Sequence, residues 1–398
     1  MTSLFPVNLT DCIPLNRSIV LPNISQFLNC TFSSDVDSFR LEFPDYIRTV
    51  ATVLCAVVLA VGTIGNILVP VVVCRTKDLR NSTNFFLINL SVADLLVLLV
   101  CMPTVLIELH SKPEVWVLGK GMCKTVPFVE LTVAHGSILT ILAISFERYY
   151  AICKPLKAGY KCTKMRALVI IGIVWVVSIL ITSPILAIAE YTFVEYVDGS
   201  TVPVCLTLVQ TFWQRMYFIS ITSVFFGIPF FILVTVYSFI AKHLMLDSGV
   251  VSSTMEQSQA KARRQVVMML VAVVLSFFLC LLPFRVFTVW IIVADPMEVQ
   301  KLGMEVYYNL LYFCRIMLYT NSAINPILYN LISSKFRDAF LRSLGCRKSR
   351  RLLRQVTFTP TSLTLQSSLK SRSSHSSGTY NTVIPPRTFG AKGLNKIL

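Results

Sequence analysis

KGMCKTVPFVELTVAHGSILTILAISFERYYAICK, residues 120–154, decides how the rest of the chain is read. The stretch opens near Cys123, carries Glu130 in its early part and closes on Glu147-Arg148-Tyr149. Glu130 and Arg148 are eighteen residues apart, five whole turns of a helix, so both leave it on one side. At about 1.5 Å per residue they stand roughly 27 Å apart, close to the thickness of a bilayer's hydrocarbon core. A charge at each end of one face, in an otherwise apolar helix, suits a device that links the two sides of a membrane.

The composition agrees. The chain has 398 residues, 55% hydrophobic and 14% charged, with a mean hydropathy of +0.69. Soluble domains carry about 25% charged residues. Runs of eighteen or more mainly apolar residues recur, each long enough to cross about 30 Å of hydrocarbon. The net charge of +16 does not point to nucleic acid, because its Lys and Arg sit in loops between apolar runs and in a tail after the last one. That distribution fits the positive-inside rule and anionic lipids, and there is no basic patch interleaved with aromatics and no zinc-ligand spacing. The expected class is an all-α membrane protein.

Residues 1–46 are polar and hold four Asn-X-Ser/Thr sequons, at Asn8, Asn16, Asn23 and Asn29, the mark of a glycosylated outer segment. No basic, then apolar, leader begins the chain, so the first span is expected to act as the insertion signal. Seven spans follow, near 47–74, 84–110, 120–153, 165–188, 212–244, 261–293 and 303–331. The segments after spans 1, 3 and 5 hold Arg75, Lys77, Arg80, Lys154, Lys157, Lys161, Lys164, Arg166, Lys242, Lys261, Arg263 and Arg264, twelve cations. Those after spans 2, 4 and 6 hold five: Lys112, Lys120, Lys124, Arg215 and Lys301. The first set is therefore expected inside, with the N-terminus outside. Sequons at Asn81 and Asn89 fall in or beside inner membrane segments and are expected to be silent.

After the last span, Ser334-Lys-Phe-Arg-Asp-Ala-Phe340 places Phe at i and i+4 among basic residues, so residues 332–346 are expected to form a short interfacial helix. Cys346 follows in a basic run and is a candidate for palmitoylation. Residues 347–398 form a tail, rich in Ser and Thr from Thr357 to Thr379, with little to build a core. Of twelve cysteines, Cys12, Cys30, Cys123 and Cys205 are expected on the oxidising side, and whether Cys12 pairs with Cys30 stays open. Most of the rest read as small buried hydrophobes.

Polar groups inside apolar spans are costly and mark function or a packed network. Span 1 has Gly65-Asn66, span 2 has Asn89-Leu-Ser-Val-Ala-Asp94, and span 7 has Asn321, Asn325 and Tyr329 at four-residue spacing, one helical face. Asp94, Asn66, Asn321 and Asn325 form a candidate site in which a sodium ion would neutralise the carboxylate; the alternative is polar glue between helices.

These landmarks, with Leu90-Ser-Val-Ala-Asp94, Cys123, Glu147-Arg148-Tyr149, Trp175, Cys205, Pro229 with Tyr237, Phe277-X-X-Cys280-X-X-Pro283-Phe284 and Asn325-Pro326-X-X-Tyr329, resemble the rhodopsin-like G-protein-coupled receptors from about residue 50 to 346. The resemblance implies a seven-transmembrane helix bundle over 47–331 with a short eighth helix. It implies a plasma-membrane receptor whose ligand cavity opens outward and whose inner cleft takes a heterotrimeric G protein, with arrestin and receptor kinases acting on the tail. It further implies a Cys123–Cys205 disulfide, an Arg148 held by Glu147 at rest and released on activation, with Tyr149 beside it, and Tyr237 and Tyr329 swinging inward. Pro229, Pro283 and Pro326 mark kinks. One departure stands out: the family's usual Trp after the span-6 cysteine is Leu281 here.

For the ligand, span 7 has no lysine for a retinal Schiff base. Glu130 would pair a monoamine, yet Arg285 and Arg315 point into the same expected cavity, and an acid with two arginines suits a peptide. Phe284 and Tyr319 join them as candidate contacts. A Glu130–Arg285 or Glu130–Arg315 bridge that only holds helices together is the plainer alternative. Glu190 to Thr207 is expected to form a hairpin lid. Asn84-Phe-Phe-Leu-Ile-Asn-Leu-Ser and Trp116-X-X-Gly119 are similar to receptors of the ghrelin, thyrotropin-releasing hormone, cholecystokinin and orexin type, which implies Gq-class coupling and calcium release. A transporter would show paired repeats with broken helices, and an enzyme a catalytic cluster; the four histidines are scattered singly.

Overall fold

In a computed structural model, residues 43–156, 162–196, 199–207, 209–247, 254–294 and 296–343 are described. The four N-terminal sequons, Cys12, Cys30, Cys346 and the Ser/Thr-rich tail lie outside them.

Seven long helices run in chain order: α1, Asp45–Arg75; α2, Ser82–Leu96 continuing through Val97–Cys101 and Met102–Leu109; α3, Gly119–Cys153; α4, Lys164–Thr182. Then come α5, Phe212–Thr222 continuing through Ser223–Gly227 and Ile228–Asp247; α6, Thr254–Val293; and α7, Met304–Ile332. A short α8, Ser334–Ser343, follows, and strands β1, Ala189–Glu195, and β2, Thr201–Thr207, lie between α4 and α5. Val97–Cys101 and Ser223–Gly227 are π turns, each wider than the helix around it.

Six of the helices, α1 to α6, are long and apolar enough to cross a membrane. α7 is 29 residues long, about 43 Å, and so has the length without the hydropathy. Arg315, Asn321 and Asn325 dilute its apolar content, and all three are buried against other helices. The seven therefore form one transmembrane bundle with the polar helix facing inward. Over an eighteen-residue apolar window, α2 and α3 are each 61% buried against 22% for α4, so α2 and α3 are inner helices and α4 a peripheral one. α3 touches α2, α4, α5, α6 and β1.

α6 begins at Thr254, earlier than the apolar run at 261. Thr254-Met-Glu-Gln-Ser-Gln-Ala260 is polar but has good helix formers, so the helix outruns the hydropathy signal. Local chemistry sets other starts. The Asn81 side chain accepts from Asn84 N at 3.0 Å to open α2, and Thr211 with Gln214 makes a capping box for α5. In α8 the Phe336 ring tucks against Tyr329 at 5.8 Å while Lys335 and Arg337 stay exposed, an amphipathic face as expected.

α1 and α7 meet closely at Gly65. A Cβ there would lie 2.9 Å from the Pro326 ring, so only glycine allows the approach. Pro326 has no N–H and leaves the Ser322 carbonyl without its helical donor. The Asn66 amide supplies one at 2.8 Å, and also donates to Gly62 O at 2.9 Å. The glycine admits the proline, and the asparagine repairs the helix that the proline interrupts.

The β1–β2 hairpin is antiparallel, pairing Tyr191 with Cys205, and turns through Gly199 at φ 76. Trp116 N donates to Pro203 O at 2.8 Å, which ties the hairpin to the α2–α3 connection. The Cys123–Cys205 disulfide, Cα–Cα 5.6 Å, ties it to α3. Peptide mapping without reductant is expected to recover Cys123 and Cys205 in one cross-linked species; free thiols at both positions would contradict the tether.

Candidate functional site

Three polar regions lie along the bundle, one at the hairpin end, one midway and one at the opposite end near Arg148.

At the hairpin end, Arg315 Nη1 of α7 donates to Glu108 Oε2 of α2 at 2.6 Å, with the side chains 6% and 13% exposed. One turn deeper, Tyr319 is fully buried and its hydroxyl donates to Glu130 Oε1 at 2.8 Å. Arg285 is buried within electrostatic reach of Glu130 and His135. Glu108, Arg315, Tyr319, Glu130 and Arg285 therefore form a polar chain from α2 through α7 and α3 to α6. Phe284 is buried in the core beside it. His135 packs rather than reaching outward: its ring lies 4.2 Å from Phe225, and Nδ1 is 3.0 Å from Thr182 Oγ1.

A cleft of about 470 Å³, part of it open to solvent, borders this chain. Phe43, Glu108, Trp116, Tyr308, Tyr312 and Arg315 are among its walls, and Cys205 places the hairpin at its edge. Of the five expected ligand contacts Arg315 alone lines this cleft; Tyr319, Arg285 and Phe284 are buried, and Glu130 is half-buried against the Tyr319 hydroxyl. Glu108 was not singled out by the sequence. A lone acid at the end of an apolar span was the available signal.

Midway, the Asn325 amide donates to Asp94 Oδ2 at 3.0 Å, and Ser322 lies close to the same carboxylate. The Oδ1 atoms of Asn66, Asn321 and Asn325 are buried without a protein partner, as is the Tyr329 hydroxyl. Such orphaned oxygens call for water or a cation. A carboxylate with amide oxygens is a hard donor set, which fits an alkali ion. Asn89 donates to Thr140 Oγ1 at 3.0 Å and accepts from Trp175 Nε1 at 2.8 Å, so this sequon's side chain is consumed within the bundle.

At the Arg148 end, Arg148 Nη2 is 3.4 Å from Glu147 Oε1, and the Ser82 hydroxyl donates to the same oxygen. Ser82 is a partner the sequence did not reveal, since it reads there as part of the Asn81 sequon. Tyr149 packs with Ile152 of its own helix and with Val236 and Ile240 on α5. Ser145 Oγ donates to Tyr237 OH at 3.0 Å, near Arg148. Tyr329 is fully buried and faces Phe336. Burial first, then the Glu147 charge, raises the Cys162 thiol above its ordinary pKa, which disfavours thiolate chemistry beside the pair.

A polar chain under a tethered hairpin at one end and an Arg–Glu pair at the other, joined by seven membrane helices, define a transmembrane receptor. Residues 65–329 match the family described as 7 transmembrane receptor (rhodopsin family), and the chain belongs to that family, whose members are receptors and not enzymes. It is 34% identical to the growth hormone secretagogue receptor type 1 of Mus musculus over 334 residues, 81% of this chain and 90% of that one. It is 33% identical over 316 residues to a QRFP-like peptide receptor of Branchiostoma floridae, 78% and 81% of the two chains. The thyrotropin-releasing hormone receptor of Bos taurus is 30% identical over 327 residues, 76% and 79%.

Proposed function

We propose that this protein is a plasma-membrane receptor for an extracellular peptide, with its N-terminus outside, and that it activates a heterotrimeric G protein of the Gq class to release calcium. The observation that carries the reading is the Glu108–Arg315–Tyr319–Glu130 chain beside an aromatic cleft under a tethered hairpin. Acids, a cation and phenols in one place offer donors and acceptors to a peptide's polar backbone and termini. The names of the similar receptors, for a growth hormone secretagogue, a QRFP-like peptide and thyrotropin-releasing hormone, point the same way.

The twelve-to-five cation count across the loops supports the orientation, and the Arg148 end would then meet the G protein. Asp94 with Asn66, Asn321 and Asn325 would hold a sodium ion, which supplies a counter-charge to the buried carboxylate. Arrestin and receptor kinases would act on the Ser/Thr-rich tail, and α8 would lie on the lipid surface.

The test is a calcium-readout screen of cells expressing the full chain against a neuropeptide library, with monoamines as the comparison panel. A peptide is expected to give a saturable response and the amines none; response to an amine alone would overturn the peptide assignment. With that agonist in hand, Glu130→Ala at matched surface expression is expected to shift the dose curve at least about tenfold rightward, because the buried Tyr319 hydroxyl loses its acceptor. An unshifted curve would remove Glu130 from the ligand-responsive chain.

A further inference from the structure

We propose that residues 43–46 are an autoinhibitory strap: the Phe43 ring occupies the cleft from within the chain, and a Tyr46 latch on α7 sets how readily it leaves. The inference rests on the peptide-receptor reading only for what the strap delays; the strap itself is a property of the fold.

The chain approaches α1 in an extended conformation. Pro44 stands at φ −51 and ψ 133, and Asp45 opens the helix. The residue before a proline is steered by sterics away from the helical region, so Phe43 stays outside α1. Among the described residues no backbone hydrogen bond holds it. Its ring contacts position it instead. The ring stands edge-on to Tyr308 at 4.8 Å and to Tyr312 at 5.8 Å, two side chains one turn apart on α7. All three are buried, and all three line the cleft.

A latch sits three residues further on. In the first turn of α1 the Tyr46 hydroxyl donates to Glu305 Oε1 at 2.5 Å and accepts from the Asn309 amide at 2.7 Å. Glu305 and Asn309 are also one turn apart on α7, and the same amide donates to Glu305 O at 3.0 Å. The start of α7 therefore grips the strap twice, with two phenol rings for Phe43 and an acid–amide pair for Tyr46.

The two grips differ in kind. The ring contact is buried and apolar. The latch is exposed, with Tyr46 48% open to solvent, so water can replace its hydrogen bonds at little net cost. A strap with no backbone tie at Phe43 and a solvent-exposed latch is built to lift. While it is down, Phe43 covers aromatic surface that Tyr308 and Tyr312 would otherwise offer to a ligand. Only the open fraction of receptors is then competent, and apparent affinity falls by that fraction. Two edge-on ring contacts amount to about a tenfold bias towards the closed form.

The test first reads the strap without a ligand. Leu311 is buried in the cleft wall, so a Leu311→Cys reporter is labelled by a bulky biotin maleimide only as the cleft opens. Full-length receptor in lipid nanodiscs is used, and mass spectrometry assigns the label to residue 311 and, in the same sample, to the buried Cys280 of α6. Phe43→Ala is expected to speed labelling at residue 311 about tenfold and to leave Cys280 unchanged. Tyr46→Phe keeps both rings and removes one hydroxyl, so it protects the test against a misfolded Phe43 variant. It is expected to speed labelling at residue 311 about threefold, the loss of one hydrogen bond.

Unchanged labelling at residue 311 in both variants makes Phe43 a fixed wall and overturns the proposal. Equal acceleration at Cys280 makes Phe43 a core residue of the bundle and overturns it as well. An effect of Phe43→Ala alone overturns the latch. With the agonist from the calcium screen, Phe43→Ala is expected to raise the association rate about tenfold. No gain in association, beside faster labelling, overturns the autoinhibition. A peptide library without any active member, beside faster labelling, unseats the receptor reading and leaves the strap.

Discussion

Arg148→Ala is expected to reduce agonist-stimulated G-protein activation to the level of untransfected cells while agonist affinity stays within about threefold of the unmodified chain. Arginine cannot shed its charge in a protein, so its guanidinium has to be paired or solvated in every state of the receptor. Here it rests 3.4 Å from Glu147, longer than the 2.7–2.9 Å of a strong charge-assisted bond. The Ser82 hydroxyl occupies the same carboxylate oxygen, so Glu147 is held from α2 as well as by its neighbour. A long contact to a shared acceptor is a restraint that binding energy of ordinary size can release. Glu147→Gln should therefore raise basal activity, while Arg148→Ala removes the group that is released. Radioligand binding and nucleotide exchange measured on the same membranes separate the two. Full signalling from Arg148→Ala would reject the switch assignment.

The second large effect is on stability. Arg315→Leu should destabilise the bundle by about 3–5 kcal/mol, because it strands the Glu108 carboxylate in a buried wall. Replacing both partners, with Glu108→Leu added, should restore most of the loss, since the net worth of a buried pair over apolar substitutes is small. Thermal unfolding in detergent can be followed by a thiol-reactive dye, for Cys55, Cys101, Cys280 and Cys314 are all buried and react only as helices separate. If the single and double variants unfold together, Glu108 is not stranded by the loss of Arg315 and is satisfied by something else.

The seven spans were readable because a run of apolar residues long enough to cross a bilayer has few other uses, and their ends fall within a few residues of the observed helices. α6 is the exception at Thr254, where hydropathy stops but helix propensity does not. Single residues that repair a local defect were less legible. Asn66 was visible as an amide in hydrocarbon, but its task, supplying the donor that Pro326 lacks, needed the α1–α7 contact at Gly65. The candidate site was legible at its arginines and not at their partners. Ser82 looked like part of a sequon, and Glu108 like the edge of a span.

The centre of the bundle carries a packing difference with consequences for coupling. Leu281 stands where the family usually has Trp, and it is buried with Phe277 and Phe284 on either side. A leucine side chain has no ring edge or N–H with which to hold a preferred orientation. Movement at this level would have to be carried by the two phenylalanines and by the kink at Pro283.

The π turn at Val97–Cys101 gives α2 a freedom that a uniform helix lacks. It separates Asp94 from Glu108, so counting at 3.6 residues per turn from the first does not give the direction of the second. Loss or gain of one codon inside those five residues would swing Met102–Leu109 by about 100° around the helix axis while leaving Ser82–Leu96 in register. Among descendants of a common receptor, such an indel would exchange the whole set of side chains that α2 offers a ligand and disturb nothing at the signalling end. Ligand repertoire and output could then diversify separately, through length variation that substitution counts would overlook.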